Sequence, residues 1–353
     1  CAEQIVIVYN SPTAFVEAKA KQLPPNVRVL CSEIGDGVTP AAFYPKPRYG
    51  GHEIWVTSTF DINKLREFVK ELPMPYSNVE MAFQIARAAY DLSSMIGISK
   101  LQVHNIRNCA LTLPTSVVEL RLDEDIREVC VSGTNNLTFL EIWKESITTT
   151  PCPRLQELHW CGKSLSKKKF PFPFTGLSTL SRLDVTVNTI DPGFRFPTQL
   201  RSLQLKVRDQ SVNVTLLTPL TRLQELGIDV SNQDTLGFSR LTSLTKLCAC
   251  RMTFTRLPAL IVECTISLRD DTDFSSYTNL TALSLIVGRG IKQTFPTGLK
   301  KLAIFQGWID NTNIAEIALE TFECWSTHLM KREDLEKLPR TLKHIAGRFQ
   351  PGG

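Results

Sequence analysis

The sequence predicts an α/β protein: a curved solenoid with a parallel sheet on its concave side and a mostly non-helical convex side, preceded by a small α/β domain. The first observation is a ten-residue string, FPTGLKKLAI at 295–304, which returns as FPTQLRSLQL at 196–205 and as LPTSVVELRL at 113–122. The second is the spacing Leu-x-x-Leu-x-Leu inside the string, which suits a short strand with one apolar face. The third is that the opening region lacks the string. We therefore expect a small domain at 1–98 and a solenoid of about 12–13 short repeats at 99–353.

Composition places the chain among folded proteins. Its 353 residues are 42% hydrophobic and 21% charged, with a formal net charge of +5. That charge is small for the length, so it gives no argument for nucleic acid as a partner. The longest apolar runs fall far short of the ~20 residues that a membrane helix needs. We expect neither a membrane nor a nucleic acid partner.

The repeats can be aligned on the middle Leu of each string. The aligned positions are Leu101, Leu120, Leu140, Leu158, Leu183, Leu203, Leu226, Leu247, Cys264, Leu283, Leu302, Phe322 and Ile345. A step of about 20 residues leaves no room for a full helix on the convex side. We expect extended chain, tight turns and single turns of 3-10 helix there.

The repeated strings resemble leucine-rich repeats. They are similar to the short Pro-x-x-Leu-x-x-Leu repeats of bacterial effector proteins and to the FNIP-type repeats of amoebae and large DNA viruses. The Asn that usually follows the strand in this family, and bonds the turn backbone, is mostly absent here. We expect Thr and Ser, which are abundant, to satisfy the turn amides instead.

The residues between the aligned apolar positions should face a partner on the concave side, because side chains alternate along a strand. The expected partner-binding residues are Glu119, Arg121, Phe139, Glu141, Trp143, Glu157, His159, Arg182, Asp184, Glu225, Phe305 and Trp325. Trp143 has the character of an interface hot spot. The alternative is that a loop or the N-terminal domain covers it. Trp160 falls on an apolar position and should lie in the core.

Residues 1–98 follow a different pattern. Short apolar runs at 4–9, 26–31 and 53–57 predict strands. Asp61 should cap a helix that ends near Leu72, and Asn78 a longer helix that extends to Leu92. Residues 35–51 are rich in Gly and Pro and should form a loop.

This order of elements resembles the BTB/POZ fold and the Skp-type cullin adaptors. The resemblance is carried by the runs IVIV at 5–8, FVEA at 15–18, EIWV at 53–56, LREFV at 65–69 and ARAAYDL at 86–92. It implies a homodimer or cullin docking through residues 1–98. An unrelated small α/β cap is the alternative.

The ten cysteines include no Cys-x-x-Cys pair. Cys264 and Cys324 fall where the repeat requires a buried apolar side chain. We favour reduced, core-packed thiols over disulfides, and therefore an intracellular, cytoplasmic location.

The sequence contains no phosphate-binding loop, no Gly-x-Ser-x-Gly elbow and no His-Glu-x-x-His. We therefore expect no enzyme, no cofactor and no metal. The predicted function is a non-catalytic protein-protein interaction module, and the BTB/Skp resemblance extends this to a substrate adaptor of a cullin-type ubiquitin ligase. The alternative is a structural subunit of a large assembly such as a viral particle.

Overall fold

The structure is a computed structural model of the whole chain. The residues it describes are 5–9, 27–31, 53–56, 78–82, 89–94, 98–104, 107–122, 127–143, 147–162, 164–165, 177–191, 193–208, 214–230, 236–238, 240–250, 254–268, 271–287, 291–305, 309–311, 313–325 and 336–348. They fall into two compact units. The N-terminal unit comprises 1–163 and 168–180, and the C-terminal unit comprises 164–167 and 181–353.

The described residues of the N-terminal unit form twelve strands. They are β1 (Ile5–Tyr9), β2 (Val27–Cys31), β3 (Glu53–Val56), β4 (Asn78–Ala82), β5 (Ala89–Asp91), β6 (Lys100–His104), β7 (Arg107–Thr112), β8 (Glu119–Leu122), β9 (Arg127–Ser132), β10 (Phe139–Ile142), β11 (Ile147–Thr149) and β12 (Glu157–Cys161). The main sheet runs β1-β2-β3-β4-β6-β8-β10-β12, and every pair is parallel. A second parallel sheet, β5-β7-β9-β11, is formed from the segments between the main strands.

In the C-terminal unit, the part of the chain that the structure describes forms sixteen strands. They are β13 (Ser164–Leu165), β14 (Arg182–Val187), β15 (Thr189–Ile190), β16 (Ser202–Val207), β17 (Glu225–Val230), β18 (Leu236–Gly237), β19 (Lys246–Cys250), β20 (Phe254–Arg256), β21 (Glu263–Leu268), β22 (Thr272–Asp273), β23 (Ala282–Val287), β24 (Ile291–Thr294), β25 (Lys301–Phe305), β26 (Ile309–Asn311), β27 (Thr321–Trp325) and β28 (His344–Gly347). The main sheet runs β14-β16-β17-β19-β21-β23-β25-β27-β28 and is parallel throughout. The remaining strands form small parallel sheets.

The aligned apolar positions form the core, as the sequence predicts. Within each unit, neighbouring positions are direct partners in the sheet, for example Leu120 with Leu140 and Leu283 with Leu302. These side chains are at most 3% exposed, except Ile345 on the last strand, which is 43% exposed. Trp160 is 2% exposed, so its predicted place in the core is confirmed.

The described residues between main strands are extended or turn, with short 3-10 helices at Thr134–Asn136, Val214–Leu216 and Ile314–Glu316. This confirms the predicted non-helical outer side for the described residues. The first of these helices follows Gly133, whose φ of +78° is in the left-handed region. A Cβ at Gly133 would lie 2.7 Å from the carbonyl oxygen of Leu113, so glycine is required there.

Threonine and asparagine side chains connect successive repeats. The hydroxyls of Thr138, Thr245 and Thr281 donate to backbone carbonyls of the preceding repeat, at 3.2, 3.2 and 3.4 Å. The side-chain amides of Asn136 and Asn279 do the same, at 2.8 and 3.2 Å. Threonine has the linking role that the sequence predicts, but its hydroxyl bonds a carbonyl oxygen and not a turn amide. The backbone amides of Thr138, Thr245 and Thr281 themselves bond backbone oxygens of the preceding repeat. Asp91, Asp191 and Asp273 instead accept turn amides two residues ahead.

The predicted helix from Asn78 to Leu92 is wrong. Asn78–Ala82 is strand β4, which pairs with β3 and β6, and Ala89–Asp91 is strand β5. Pairing with parallel neighbours outweighs the helical spacing of the apolar residues in this segment. The predicted strands at 4–9, 26–31 and 53–57 are present as β1 to β3.

Other predictions for the opening region concern residues that the structure does not describe. They are the runs at 15–18 and 65–69, the loop at 35–51 and the helix from Asp61 to Leu72. The domain boundary at residue 98 stays a prediction, although β4 and β6 pair across it.

Candidate functional site

A charged and aromatic surface lies on four adjacent main strands of the N-terminal unit. On β8, β10 and β12 the buried side chains alternate with half-buried ones. The outward positions fall into two rows across the strands because the register is exact. The first row contains Lys100, Glu119, Phe139 and Glu157, and the second Gln102, Arg121, Glu141 and His159. We call the N-terminal patch the set Lys100, Glu119, Arg121, Phe139, Glu141, Trp143, Glu157 and His159.

Arg121 is the centre of the charge network. Its Nε and Nη2 both donate to Oε1 of Glu119, at 2.9 and 2.8 Å, and its Nη1 lies 3.1 Å from Oε2 of Glu141. Lys100 Nζ lies 3.0 Å from the other oxygen of Glu119. The Arg121, Glu119 and Glu141 side chains are only 16–22% exposed, so solvent screens them less than a free surface pair.

Two aromatic rings lie beside this network. The Arg121 guanidinium carbon is 4.9 Å from the centroid of the Phe139 ring, within cation–π range. On its other side, Phe139 meets the imidazole of His159, with ring centroids 5.1 Å apart and planes tilted by 49°. His159 Nε2 lies 2.8 Å from Oε1 of Glu157. The two rows are therefore one continuous cluster.

Trp143 stands at the end of this cluster with its ring 46% exposed. Its indole Nε1 donates to Oε1 of Glu141 at 2.8 Å, so the two oxygens of Glu141 are divided between Trp143 and Arg121. The polar edge of the indole is satisfied within the strand while an apolar ring face remains exposed. The alternative that a loop of the chain covers Trp143 is not realised among the described residues.

The other predicted partner-binding residues lie in the C-terminal unit. The register places Arg182 beside Ser202 and Ser202 beside Glu225. Asp184 lies beside Gln204, whose side chain fills the space above Gly227. A Cβ at Gly227 would collide with the Gln204 amide, which a small movement of that flexible side chain would relieve.

Phe305 and Trp325 are neighbours on β25 and β27 of the C-terminal unit. Trp325 is 48% exposed, and its Nε1 donates to Oε2 of Glu323 at 3.1 Å. Ile286 lies beside Phe305 on the next strand. Of the twelve predicted residues, seven belong to the N-terminal patch, and the other five lie on the main sheet of the C-terminal unit.

Sequence reasoning missed two residues of these surfaces. Lys100 precedes Leu101 as Glu119 precedes Leu120, so the repeat alignment contains the information needed to find it. Ile286 follows a core residue at the same repeat position as Trp143 and Trp325. Comparing that one position across repeats would have identified it.

The groups in the N-terminal patch suit binding. Its carboxylates accept bonds from Arg, Lys, Trp and His, and its rings supply apolar area, which is the chemistry of a protein interface. Among the described residues, no group of three or more His, Cys, Asp or Glu could hold a metal ion. No helix in the described part of the chain is long and apolar enough to cross a membrane.

Four of the described cysteines, Cys109, Cys152, Cys264 and Cys324, are buried as free thiols. This confirms the predicted core packing of Cys264 and Cys324. Burial raises the pKa of the Cys109 thiol to about 11. It also raises the pKa of the Cys152 and Cys264 thiols.

The fold is that of leucine-rich repeat proteins. The chain is similar to a leucine-rich repeat protein of Leptospira interrogans, with 15% identity over 83% of this chain and 89% of that chain and a TM-score of 0.51. It also matches an internalin of Listeria monocytogenes, with 14% identity, 81% and 84% coverage and a TM-score of 0.41. No protein-family model and no curated protein matches the sequence.

Proposed function

We propose that this chain is a non-catalytic protein-binding module and that a protein partner docks on the N-terminal patch. The observation that carries the proposal is the arrangement of Trp143. Its ring is exposed, yet Glu141 fixes its N–H, and Arg121 fixes Glu141 in turn. A ring held in this way loses little side-chain freedom when a partner covers it, and such aromatic anchors dominate interface energetics.

The charges of the patch indicate what the partner presents. Three carboxylates, those of Glu119, Glu141 and Glu157, share the patch with two permanent cations, Lys100 and Arg121. The balance is one negative charge when His159 is neutral. A partner that places an apolar side chain on Trp143 and a basic residue near the carboxylates is complementary to this surface.

The test uses a displayed library of random twelve-residue peptides, selected on the whole chain at low salt. Peptides that bind the patch should lose at least about tenfold in affinity on Trp143→Ala, the effect expected of a hot spot. The matched control is Trp325→Ala, which removes an equally exposed indole from the other unit. Melting temperatures of both variants should stay near that of the wild type. If none of the selected peptides loses affinity on Trp143→Ala, the proposal is refuted.

The finer functions predicted from the sequence remain proposals. An adaptor role in a cullin-type ubiquitin ligase, with a homodimer or cullin docking through 1–98, depends on the BTB/Skp resemblance. One of its supporting runs, at 86–92, includes strand β5 instead of helix, which weakens that support. The alternative, a structural subunit of a large assembly, and the likeness to FNIP-type repeats stay predictions. An intracellular, cytoplasmic location is proposed from the cysteines, four of which are core thiols in the described residues.

A further inference from the structure

A second surface, on the last repeats of the C-terminal unit, differs in chemistry from the N-terminal patch. The register of β23, β25 and β27 puts Ile286 beside Phe305 and Phe305 beside Trp325, all on the outward face of the sheet. The residue before each of them in sequence, namely Leu285, Ile304 and Cys324, is a core residue. Three large apolar side chains therefore form a line across three strands.

Small side chains occupy the adjacent row. The register aligns Thr265, Ser284 and Ala303 on β21, β23 and β25, and Ala346 follows on β28 after Glu323. Side chains two positions apart on a strand lie on the same face. The three large apolar side chains therefore project further from the sheet than the small side chains beside them. We call Ile286, Phe305, Trp325, Ser284 and Ala303 together the C-terminal apolar surface.

The polar edge of Trp325 needs nothing from a partner. Its Nε1 already donates to Oε2 of Glu323, so an apolar group can cover the indole without leaving an N–H unpaired. The ring is 48% exposed, which leaves area for such a contact. Trp325 therefore favours an apolar occupant over one that supplies a hydrogen-bond acceptor.

The charge distribution favours the same occupant. Of the six outward positions on β23 and β25, namely Ala282, Ser284, Ile286, Lys301, Ala303 and Phe305, only Lys301 is charged. On the next strand, β27, Glu323 lies beside Ala303 and accepts the hydrogen bond of Trp325, and Arg348 directly follows β28. The middle of the surface, on β23 and β25, is therefore mostly uncharged, as protein interface cores usually are.

We propose that the C-terminal apolar surface is a second docking site and that it takes an uncharged protein segment bearing a large aliphatic or aromatic side chain. That side chain covers Phe305 and Trp325, and the rest of the segment lies over Ser284 and Ala303. The site is independent of the N-terminal patch, because none of its residues belongs to that patch. One chain then holds two partners, or two parts of one partner, by different chemistry.

The test again uses displayed twelve-residue peptides, selected on the whole chain at high salt, where charge pairing is screened. Two variants change the surface in opposite ways. Trp325→Ser removes apolar area, and Ala303→Arg adds a charged side chain to the row of small residues. Ala303→Arg adds to an outward position and removes no core contact, so it tests the site even if Trp325→Ser destabilises the chain. Lys206→Ser is the matched control, because Lys206 occupies the repeat position of Trp325 on β16.

The proposal predicts selected peptides with an aliphatic or aromatic anchor and no required charge. Their affinity should fall at least about tenfold on Trp325→Ser and on Ala303→Arg. It should be unchanged on Lys206→Ser and on Trp143→Ala. Peptides that bind all variants alike, or that require a charged residue, would overturn the proposal.

Sedimentation of the wild type and of Ala303→Arg identifies a different occupant. A wild-type dimer that Ala303→Arg converts to a monomer would mean that a second copy of the chain covers this surface, which also overturns the proposal. A monomer in both cases agrees with it. Loss of binding on Trp143→Ala alone concerns only the N-terminal patch, so the two proposals fail separately.

Discussion

Trp143 in the N-terminal unit and Trp325 in the C-terminal unit have the same local arrangement in different surroundings. Each follows a core residue at the end of a main strand, is nearly half exposed, and donates its indole N–H to the Glu two residues earlier. Glu141 also binds Arg121, whereas Trp325 has Phe305 as its neighbour in the sheet. The repeat determines where the side chain points, and the neighbouring repeats determine what chemistry surrounds it.

Titration of Cys109 provides the largest expected effect on stability. Cys109 lies on β7 of the N-terminal unit, and burial raises the pKa of its thiol from 9.0 to about 11. A raised pKa in the folded state means that the thiol favours folding below pH 9 and that this contribution is lost as pH rises from 9 to 11. The full loss is on the order of 2 kcal/mol.

Urea unfolding of wild type and Cys109→Ala from pH 8 to 11 measures this effect. The difference in unfolding free energy between the two proteins should narrow as pH rises. A constant difference would contradict the assignment. Hydrogen exchange of peptides from β7 and β9 shows whether the N-terminal unit loosens first.

The two glutamates provide the next test. Glu141→Leu removes an ion pair and a hydrogen bond from a half-buried network and leaves Arg121 with one carboxylate partner; we expect a cost of about 1–2 kcal/mol. Glu323→Leu removes a single exposed bond of 3.1 Å and should cost about 0.5 kcal/mol or less. Chemical denaturation of both variants provides the comparison. Equal costs would mean that the surroundings of the two tryptophans do not matter.

A buried glutamine allows the C-terminal unit to be stabilised. Gln293 on β24 is 1% exposed, and neither its side-chain oxygen nor its nitrogen has a hydrogen-bond partner among the described residues. Gln293→Leu should raise the unfolding free energy by about 1 kcal/mol, because it removes two desolvated polar atoms at similar volume. Gln293→Glu is the opposite control and should destabilise. A lower melting temperature for Gln293→Leu would show that the amide is satisfied in the folded chain.

The smallest expected effect is at acid pH in the C-terminal unit. A backbone hydrogen bond from Ser275, followed by a bond from its side chain, lowers the pKa of Asp273. A lowered pKa in the folded state means that the carboxylate favours folding above its unfolded pKa of about 3.9 and that this is lost at lower pH. Asp273→Asn should cost a few tenths of a kcal/mol at pH 7, since the group is exposed and screened. The difference should shrink in acid-unfolding curves as pH falls below the unfolded pKa of the carboxyl group.

The sequence predicted the core and its register well because the alternation is strict. Within each unit, each aligned position pairs in the sheet with that of the next repeat, so a shift by one residue would expose the whole row. Cys264 and Phe322 fit the same positions and are buried alike. The helical spacing at 78–92 led to a wrong prediction, because the spacing of apolar residues within one segment does not show which strands of other repeats pair with β4.

For the candidate sites, the sequence predicted only which side chains point outward, and not which of them contact each other. Alternation places Arg121 and Glu141 on one face, but it does not state that they form an ion pair. That pair depends on side chains from strands separated by a full repeat, and on rotamers that sequence spacing does not encode. The sequence therefore identified most outward residues and none of the network among them.

The threonine bonds between repeats carry a consequence for folding order. The hydroxyls of Thr138, Thr245 and Thr281 reach carbonyls 20, 21 and 19 residues earlier in the chain. Contacts between residues this close in sequence favour fast folding, in which each folded repeat supplies the strand edge on which the next repeat folds. A terminal repeat has only one neighbouring repeat, so it should be the first to unfold and refold locally. Deleting one whole repeat would keep these hydrogen bonds between neighbouring repeats, whereas deleting half a repeat would break them.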